Sequence, residues 1–304
     1  MRLLAYRDPE HGPGLGFLDG DERVVHLSTD GLNWHLIKEN GLAELHRVAE
    51  PLAGTGGLPR SGVDPLPAVA PGKIVCIGLN YRDHLEEQNL PMPDRPMLFG
   101  KWSNAVIADG EAIIRPEGCE ALDAEVELGV VIGRRARRVS ATEAMDHVAG
   151  YVVVNDVTAR DWQGNKGALH PGARGDGQWL RAKGSDTFLP LSATFVTADE
   201  ITDPGHLRLR SWWTRGSGPD AGREVLMQDG TTADMLFDIP AAIEFVSRAI
   251  TLEPGDVLAT GTPSGVGVFR DPPVFLKPGD RVRCEVDGIG SVENPIVDWS
   301  AAAH

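Results

Sequence analysis

The chain has 304 residues, of which 41% are hydrophobic and 24% are charged, a profile typical of a folded protein with one large domain or two ordinary ones. Its net charge of −15 opposes nonspecific attraction to phosphate backbones, and no basic run with interleaved aromatic residues occurs, so a nucleic-acid partner is not expected. The three cysteines are widely spaced, which predicts neither a disulfide framework nor a zinc site.

Targeting and membrane signals are absent from the sequence. The N-terminal stretch MRLLAYRDPEHG lacks the apolar core of a signal peptide, and no apolar run reaches the ~18 residues that a membrane helix needs. We therefore expect a soluble protein with a cytoplasmic location and no membrane partner.

The first part of the chain is predicted to form a small N-terminal domain over residues 1–65. Short strand patterns, RLLAY, GLGFLD and RVVHLS, alternate with turns and precede a helical stretch around LAELHRVAEPLAG. Residues 54–72 are dense in Gly and Pro, which indicates a linker, so a second domain is expected over residues 72–300.

The second region is dominated by strand patterns, and a β-rich α+β fold is expected. The predicted strands are KIVCIGL, MLFGK, EAIIRP, VELGVVIG, HVAGYVVVND, TFLPLSATFVT, LRLRSWWTR, DVLATGTP and RVRCEVDGIGSV. Two helices are predicted, SATEAMDHV with a capping box from Ser140 and Glu143, and DIPAAIEFVSRAI. Trp212 and Trp213 are adjacent in a strand and should face opposite sides of it.

Two carboxylates interrupt one of the apolar strands. Glu125 and Glu127 are two residues apart in DAEVELGVVIG, so in a strand they project from the same face and repel each other. A nearby cation, such as a bound divalent metal, would make this arrangement tolerable when buried. The alternative for an arbitrary pair of this kind is an exposed strand end with both side chains in water.

A third carboxylate and a histidine pair add to this pattern. Asp156 ends the apolar strand YVVVND, and three carboxylates without Cys or His favour Mg²⁺, Mn²⁺ or Ca²⁺ over Zn²⁺. His84 and Glu87 are three residues apart, so on a helix Glu87 could orient the imidazole as a general base. An ordinary surface His/Glu pair is the alternative for this stretch by itself.

These segments together resemble the fumarylacetoacetate hydrolase superfamily over about residues 72–297. The resemblance rests on GLNYRDHLEE, DAEVELGVVIG, GYVVVNDVTARDWQ, AKGSDTF, MQDGTTADMLFDIP, LEPGDVLATGTPSGVG and LKPGDRVRCEVDGIGSVENPI, which are specific as a set. It implies the family's mixed β-sandwich roll, with homodimers as the usual assembly.

The resemblance also implies roles for individual residues. Glu125, Glu127 and Asp156 would bind Mg²⁺ or a similar ion, and His84 and Glu87 would activate water on a segment that acts as a lid in relatives. Lys183 matches the active-site lysine, whose charge would stabilise an oxyanion. The residues implied to bind the substrate are Tyr81, Arg160, Gln163 and Thr262.

The reaction implied is hydrolysis of a carbon-carbon bond in an acylpyruvate-like 2-oxo acid, such as fumarylpyruvate or fumarylacetoacetate. Three alternatives on the same scaffold are an oxaloacetate decarboxylase, a 2-hydroxyhepta-2,4-diene-1,7-dioate isomerase and a diketo-deoxy sugar acid hydrolase. All of these reactions pass through an enolate, so the metal motifs do not separate them. A noncatalytic protein stapled by its metal is disfavoured, because a structural cation needs no base.

The segment 164–180, GNKGALHPGARGDGQWL, looks longer than in compact family members. Since it lies between Gln163 and Lys183, we expect it to form part of the pocket wall, with His170, Arg174 or Trp179 touching the substrate. A surface excursion is the alternative. Asp123, just before the carboxylate pair, is interpreted as a turn residue, with a role in supporting the site as the alternative.

Overall fold

In a computed structural model of the protein, the residues described are 1–20, 23–28, 42–165, 167, 169–170, 173 and 175–301. They form a β-rich fold. The strands are Arg2–Asp8 (β1), Gly12–Asp19 (β2), Arg23–Ser28 (β3), Leu58–Pro59 (β4), Asp64–Pro65 (β5), Ile74–Gly78 (β6), Met97–Lys101 (β7), Val106–Ile107 (β8), Ile113–Arg115 (β9), Leu122–Asp123 (β10), Val126–Ile132 (β11), Val148–Asn155 (β12), Thr158–Ala159 (β13), Leu189–Pro190 (β14), Thr194–Thr197 (β15), Arg208–Thr214 (β16), Glu224–Thr231 (β17), Val257–Ala259 (β18), Arg281–Val286 (β19) and Gly290–Asp298 (β20).

Helices are short and few among the described residues. The α-helices are Leu42–Ala49 (α1), Arg82–Glu87 (α2), Arg160–Gln163 (α3), Trp179–Gly184 (α4) and Ile239–Ala249 (α5). Single 3₁₀ turns lie at Glu50–Leu52, Arg60–Gly62, Ser103–Ala105, Ala144–His147, Ala198–Glu200, Pro204–His206, Thr232–Asp234, Gly267–Phe269 and Trp299–Ala301.

Two packed sheets give the mixed sandwich that the family resemblance implies. The larger sheet has 11 strands in the order β4-β3-β2-β1-β15-β12-β11-β18-β6-β7, with β5 paired to β1. The smaller has five strands in the order β17-β16-β19-β20-β9. Strands β11 and β12 of the larger sheet face β16, β19 and β20 of the smaller. Most pairs are antiparallel, but β6 is parallel to β18 and β9 is parallel to β20.

The centre of the larger sheet is buried on both faces. Every residue of β11 and β12 is buried, and their runs of Val and Ile are the pattern expected of strands covered on both sides. Antiparallel pairing sets Val126 opposite Asn155, so the first residues of β11 lie beside the last residues of β12.

Four strand ends meet at one edge of this sheet. Strand β18 pairs with β11 on the side away from β12. Strand β6 is the parallel neighbour of β18, so the ends of β6 and β18 lie side by side. The start of β11 and the ends of β12, β18 and β6 therefore lie together, and each continues into a segment that carries predicted site residues.

Most of the predicted elements are confirmed, but the short elements β8, β10, β13, α3 and α4 were not predicted, and three further regions differ. SATEAMDHV forms a 3₁₀ turn at Ala144–His147, although Ser140 Oγ does donate to Glu143 Oε2 at 2.6 Å. The strand β17 was not predicted, because its alternation is broken by Gln228, Asp229 and Gly230. The linker 54–72 contributes the strands β4 and β5, which pair with β3 and β1.

The N-terminal strands extend the central sheet. Leu3 of β1 pairs with Phe195 of β15, and β15 in turn pairs with β12. The division into two domains stays a prediction. The two tryptophans do face opposite sides, since Trp213 is buried while the ring of Trp212 lies under the Arg283 guanidinium. None of the described helices is both long and apolar enough to cross a membrane.

The close approach of β12 to β15 predicts that Gly150 tolerates no side chain. A Cβ on Gly150 would lie 2.1 Å from the Val196 carbonyl oxygen and 2.7 Å from Phe195 Cζ. We expect Gly150→Ala to lower the free energy of unfolding by ~1–3 kcal/mol or more, measured by urea denaturation. In the control Gly72→Ala, the new Cβ meets only Asp256 Oδ1 at 3.4 Å, and a loss within ~0.5 kcal/mol is expected. Equal losses in the two variants would contradict this account.

Candidate active site

The three predicted metal ligands come together at the edge where the strand ends meet. Glu125 immediately precedes β11, and Glu127 is the second residue of that strand. Asp156 follows the last residue of β12, and its N–H donates to the Glu125 carbonyl at 2.9 Å. One oxygen from each carboxylate lies within 4.8 Å of the others. The alternative of an exposed strand end is wrong, because Glu125 is 5%, Glu127 1% and Asp156 0% exposed.

Buried cations contact two of these carboxylates. The Lys183 ammonium donates to Glu125 Oε2 and Asp156 Oδ2, both at 2.7 Å. Arg160 Nη2 lies 2.6 Å from Glu125 Oε1. Burial alone would raise the pKa of Glu125, but the charges of Lys183 and Arg160 lower this pKa below its usual value.

A second lysine, which the sequence interpretation missed, approaches Asp156 from the other side. Lys101 Nζ lies 2.6 Å from Asp156 Oδ1, and neither side chain is exposed to solvent. Its ammonium also donates to the carbonyls of Val157 at 3.0 Å and Phe188 at 2.7 Å, and to that of Lys183. The strand MLFGK was predicted, but the inward direction of its final Lys depends on segments more than 50 residues away.

Glu127 is the member of the triad without an ion-pair partner among the described residues. Its Oε2 accepts from the Gly261 N–H at 2.9 Å. Burial, and then the charges of Asp156 and Glu125, raise the pKa of Glu127 well above its usual value. A divalent cation would supply the positive charge that this carboxylate lacks, and three oxygen donors suit Mg²⁺, Mn²⁺ or Ca²⁺. The residues therefore fit a metal ion of this class.

Asp123 supports the site and is not a turn residue, which corrects the sequence interpretation. It is fully buried in β10, where its Oδ2 accepts from Arg160 Nε at 2.8 Å. The two carboxylate oxygens also accept from the backbone N–H groups of Ala124, Gly267 and Val268. Arg160 Nη1 in turn donates to Gln163 Oε1 at 3.0 Å. Asp123 thus orients the guanidinium that pairs with Glu125.

The predicted histidine-glutamate pair forms on α2, which follows β6. His84 Nδ1 lies 2.5 Å from Glu87 Oε1, and His84 is 6% exposed. The amide nitrogen of Gln88 lies 3.0 Å from His84 Nε2. Since an amide nitrogen only donates, this contact assigns the lone pair to Nε2 and the proton to Nδ1, where it is donated to Glu87. The alternative of an ordinary surface pair does not hold for this buried imidazole.

The turn that follows β18 contacts both the carboxylate triad and the His84–Glu87 pair. At one end, the Gly261 N–H donates to Glu127, and at the other the Gly265 N–H donates to Glu87 Oε2 at 3.0 Å. Gly261 has a φ of +94°, and a Cβ there would lie 2.9 Å from the Ile77 carbonyl oxygen, so the turn requires glycine. Between them, Thr262 Oγ1 donates to the Val126 carbonyl at 2.9 Å.

A cavity of about 220 Å³ opens onto this arrangement. Its polar lining includes two carboxylates of the triad, the histidine of the dyad and three of the predicted substrate-binding residues, and its apolar lining consists of aromatic rings and aliphatic side chains. The lining residues are Ile77, Gly78, Leu79, His84, Gln88, Leu90, Met97, Phe99, Glu125, Glu127, Arg160, Gln163, Asn165, Trp179, Thr262 and Phe269.

Four predicted site residues do not line the cavity, namely Glu87, Asp156, Lys183 and Tyr81. Lys183 donates hydrogen bonds to Glu125 and Asp156. Tyr81 is fully buried, and its backbone forms an isolated β-bridge with Met235. The predicted catalytic and substrate-binding roles of Lys183 and Tyr81 stay predictions.

The predicted contribution of the 164–180 segment is found in part. Trp179 lines the cavity and packs edge-on against Phe99, with ring centroids 5.6 Å apart. His170 instead contacts Glu120 Oε2 at 2.9 Å, and both side chains are exposed. Arg174 lies outside the described residues.

Gln88 and Gln228 were also missed by the sequence interpretation. Gln228, from β17 of the smaller sheet, donates to Thr262 Oγ1 at 2.7 Å and accepts from the Val126 N–H at 3.0 Å. The sequence spacing could have identified Gln88, since it lies four residues after His84 and therefore on the same helix face. No sequence pattern could have identified Gln228, because its contacts cross between the two sheets.

Comparison with known proteins gives consistent matches over nearly the whole chain. The family model described as fumarylacetoacetate (FAA) hydrolase C-terminal matches residues 73–297. The mitochondrial oxaloacetate tautomerase FAHD2B of Bos taurus is 42% identical over 306 aligned positions, which cover 98% of this chain and 92% of that protein. The mitochondrial oxaloacetate tautomerase FAHD2A of Homo sapiens is 40% identical with the same coverage.

Solved structures share the architecture. The fumarylacetoacetate hydrolase of the psychrophile Exiguobacterium antarcticum superposes with a TM-score of 0.80 at 29% identity, covering 98% of this chain and 99% of that one. A 2-hydroxyhepta-2,4-diene-1,7-dioate isomerase from Mycobacterium marinum gives 0.72 at 31% identity, with the same coverage. Proteins with hydrolase, isomerase and tautomerase names thus share this fold.

The unpaired carboxylate predicts how metal binding depends on Glu127. We expect Mn²⁺ at ~100 times its dissociation constant to stabilise the wild type by ~2.7 kcal/mol, and Glu127→Gln to lose most of this gain. Thermal unfolding with and without Mn²⁺ measures both. The exposed Glu117→Gln is the control and should keep the full gain. An unchanged Mn²⁺ effect in Glu127→Gln would exclude this residue as a ligand.

The buried position of Lys101 predicts a large loss of stability when its charge is removed. Lys101→Met leaves Asp156 Oδ1 without its cation, and breaking a buried pair in this way costs ~3–5 kcal/mol. The control Arg135→Met breaks the exposed pair with Glu253, at 3.0 Å, and should cost ~0–1 kcal/mol. Urea denaturation of both variants without metal tests this, and similar losses would show that Lys101 does not neutralise Asp156.

Proposed function

Because this chain belongs to the fumarylacetoacetate hydrolase superfamily, we propose that it is a divalent-metal-dependent enzyme that interconverts the keto and enol forms of oxaloacetate or a similar 2-oxo acid. The observation that carries the proposal is the position of His84 Nε2, a basic atom on the same cavity as Glu125 and Glu127. The oxaloacetate tautomerases that are 40–42% identical to this chain support the reaction and the substrate.

A divalent cation bound by Glu125, Glu127 and Asp156 would polarise the 2-oxo group and so make the neighbouring C–H more acidic. Arg160 and Gln163 line the same cavity and hold each other by a hydrogen bond, so they present a fixed polar wall to the substrate. The Arg160 guanidinium is already neutralised by Asp123 and Glu125, which makes it a positioning group and not a free positive charge.

His84 would transfer the proton between carbon and solvent. In the keto-to-enol direction, Nε2 takes a proton from the carbon next to the 2-oxo group and passes it to solvent, while the 2-oxo oxygen gains a proton from solvent, so the reaction is an isomerisation without cleavage of a carbon-carbon bond. Glu87, 2.5 Å from Nδ1, stabilises the imidazolium that forms. Gln88 must move away from Nε2 when a substrate C–H approaches, since its amide occupies that direction.

The carbon-carbon hydrolase predicted from the sequence is the second candidate. One observation favours it, since the same His84–Glu87 pair could take a proton from water so that hydroxide attacks a distal carbonyl. Tautomerisation is proposed first, because it needs only the proton transfer that this geometry supplies and agrees with the names of the relatives.

The assembly is part of the proposal. We propose a homodimer, as the family resemblance implies. The cytoplasmic location predicted from the sequence is not confirmed, since the named relatives are mitochondrial proteins.

The role of His84 predicts a large loss of activity on its removal. His84→Ala should lower kcat for oxaloacetate tautomerisation by ~10²–10⁴-fold, the usual contribution of a general base. The rate is followed by the ultraviolet absorbance of the enol with Mg²⁺ present. The exposed His206→Ala is the control and should retain wild-type activity. Full activity in His84→Ala would refute the proposed base.

Product analysis separates the candidate reactions. Tautomerisation changes the enol absorbance without releasing carbon dioxide or a second acid. Release of pyruvate and a second acid from an acylpyruvate, faster than oxaloacetate is tautomerised, would favour the hydrolase. Activity that survives EDTA would contradict metal dependence in either case.

A further inference from the structure

We propose that Asp83 is a positioning residue that holds the His84–Glu87 pair against the turn after β18; this inference rests on the proposed function of that pair. Asp83 lies next to His84 on α2, and its carboxylate points to the same turn as Glu87.

The contacts of Asp83 and Glu87 run side by side. Asp83 Oδ2 accepts from the Ser264 N–H at 3.1 Å and from Ser264 Oγ at 2.8 Å. Glu87 Oε2 accepts from the N–H of the next residue, Gly265, at 3.0 Å. Two carboxylates one helical turn apart therefore bind two consecutive residues of the turn, and this pairing fixes both the distance and the rotation of α2 relative to it.

The helix is short, and the buried Tyr81 that precedes it anchors its N-terminal end. It spans six residues, and Tyr81 at its N-cap provides no side-chain cap. Isolated helices of this length are unstable in water, so α2 depends on tertiary contacts for its placement. The buried Leu85 anchors one face, and the Asp83–Ser264 bonds anchor the face that also carries Glu87.

The turn on the other side of these bonds is closely packed and requires glycine. Gly265 has a φ of +101°, and a Cβ there would lie 2.3 Å from the Met227 carbonyl oxygen. The same turn begins with Gly261, which donates to Glu127. Asp83 thus ties the base to a backbone segment that also holds a predicted metal ligand, and so sets the separation between them.

Stability alone does not account for a carboxylate at this position. Asp83 Oδ1 is buried and finds no hydrogen-bond donor among the described residues, and Asp83 has no ion pair there. A buried, unpaired carboxylate oxygen disfavours folding. Destabilising groups of this kind are expected where function requires them, so we attribute the carboxylate of Asp83 to function.

The experiment compares Asp83→Ala, Asp83→Asn and the control Glu86→Ala, which removes an exposed carboxylate from the same helix. With oxaloacetate and saturating Mg²⁺, we expect Asp83→Ala to lower kcat at least 10-fold with KM changed less than threefold. Asp83→Asn keeps an acceptor oxygen for Ser264 and should recover to within threefold of the wild type. Glu86→Ala should match the wild type.

Two further measurements on the same variants distinguish positioning from general damage. The Mn²⁺ dissociation constant, from calorimetric titration, should change less than twofold in Asp83→Ala. Hydrogen exchange followed by mass spectrometry should accelerate at least 10-fold in peptides covering residues 82–90 and 261–268, and not elsewhere.

The outcomes are decisive in each case. A kcat within twofold of the wild type in Asp83→Ala, an Asn variant as impaired as the Ala variant, or unchanged exchange in both segments would overturn the inference. A wild type inactive on oxaloacetate and other 2-oxo acids would refute the proposed function instead. The exchange data would then still decide whether Asp83 holds α2 to the turn.

Discussion

The site depends on the balance of charge among side chains that are buried from bulk solvent. Four buried carboxylates, Asp123, Glu125, Glu127 and Asp156, lie among three buried cations, Lys101, Arg160 and Lys183. Each cation contacts at least one of the carboxylates, and an uncompensated ion in such surroundings is strongly disfavoured. The balance is one positive charge short, and the shortfall falls on Glu127. Glu127 is therefore the carboxylate at which an added cation would be most strongly stabilised.

The sheet topology places this deficit beside the base. Strands β11 and β12 bring the triad together because they are antiparallel neighbours, while β6 and β18 deliver α2 and the glycine turn to the same edge because they are parallel neighbours. Backbone N–H groups of that turn then bind one carboxylate of each set. Metal ligands and base are therefore held by a single backbone segment, and rigid elements define their separation.

Much of the fold and of the site could be predicted from the sequence. Period-two patterns and apolar runs found most strands of both sheets, and the spacing of Glu125 and Glu127, and of His84 and Glu87, located the triad and the dyad. Local spacing could not find residues whose roles arise from contacts distant in the chain. Lys101 reaches Asp156 across 55 positions, and Gln228 reaches Thr262 from the opposite sheet. Asp123 was misjudged for the same reason, since its partner Arg160 lies 37 residues further on.

The pairing of β1 with β15 has a consequence for any attempt to shorten the protein. A fragment that began near residue 72 would retain the family-matched segment, but it would leave Thr194–Thr197 as an open margin of the sheet. Unpaired N–H and C=O groups along such a margin recruit strands from other molecules. Apolar side chains of the first strands, among them Leu3, Leu15 and Phe17, also belong to the same core cluster as those of β11 and β12. Such a fragment would therefore be prone to aggregate, even with every side chain of the site present.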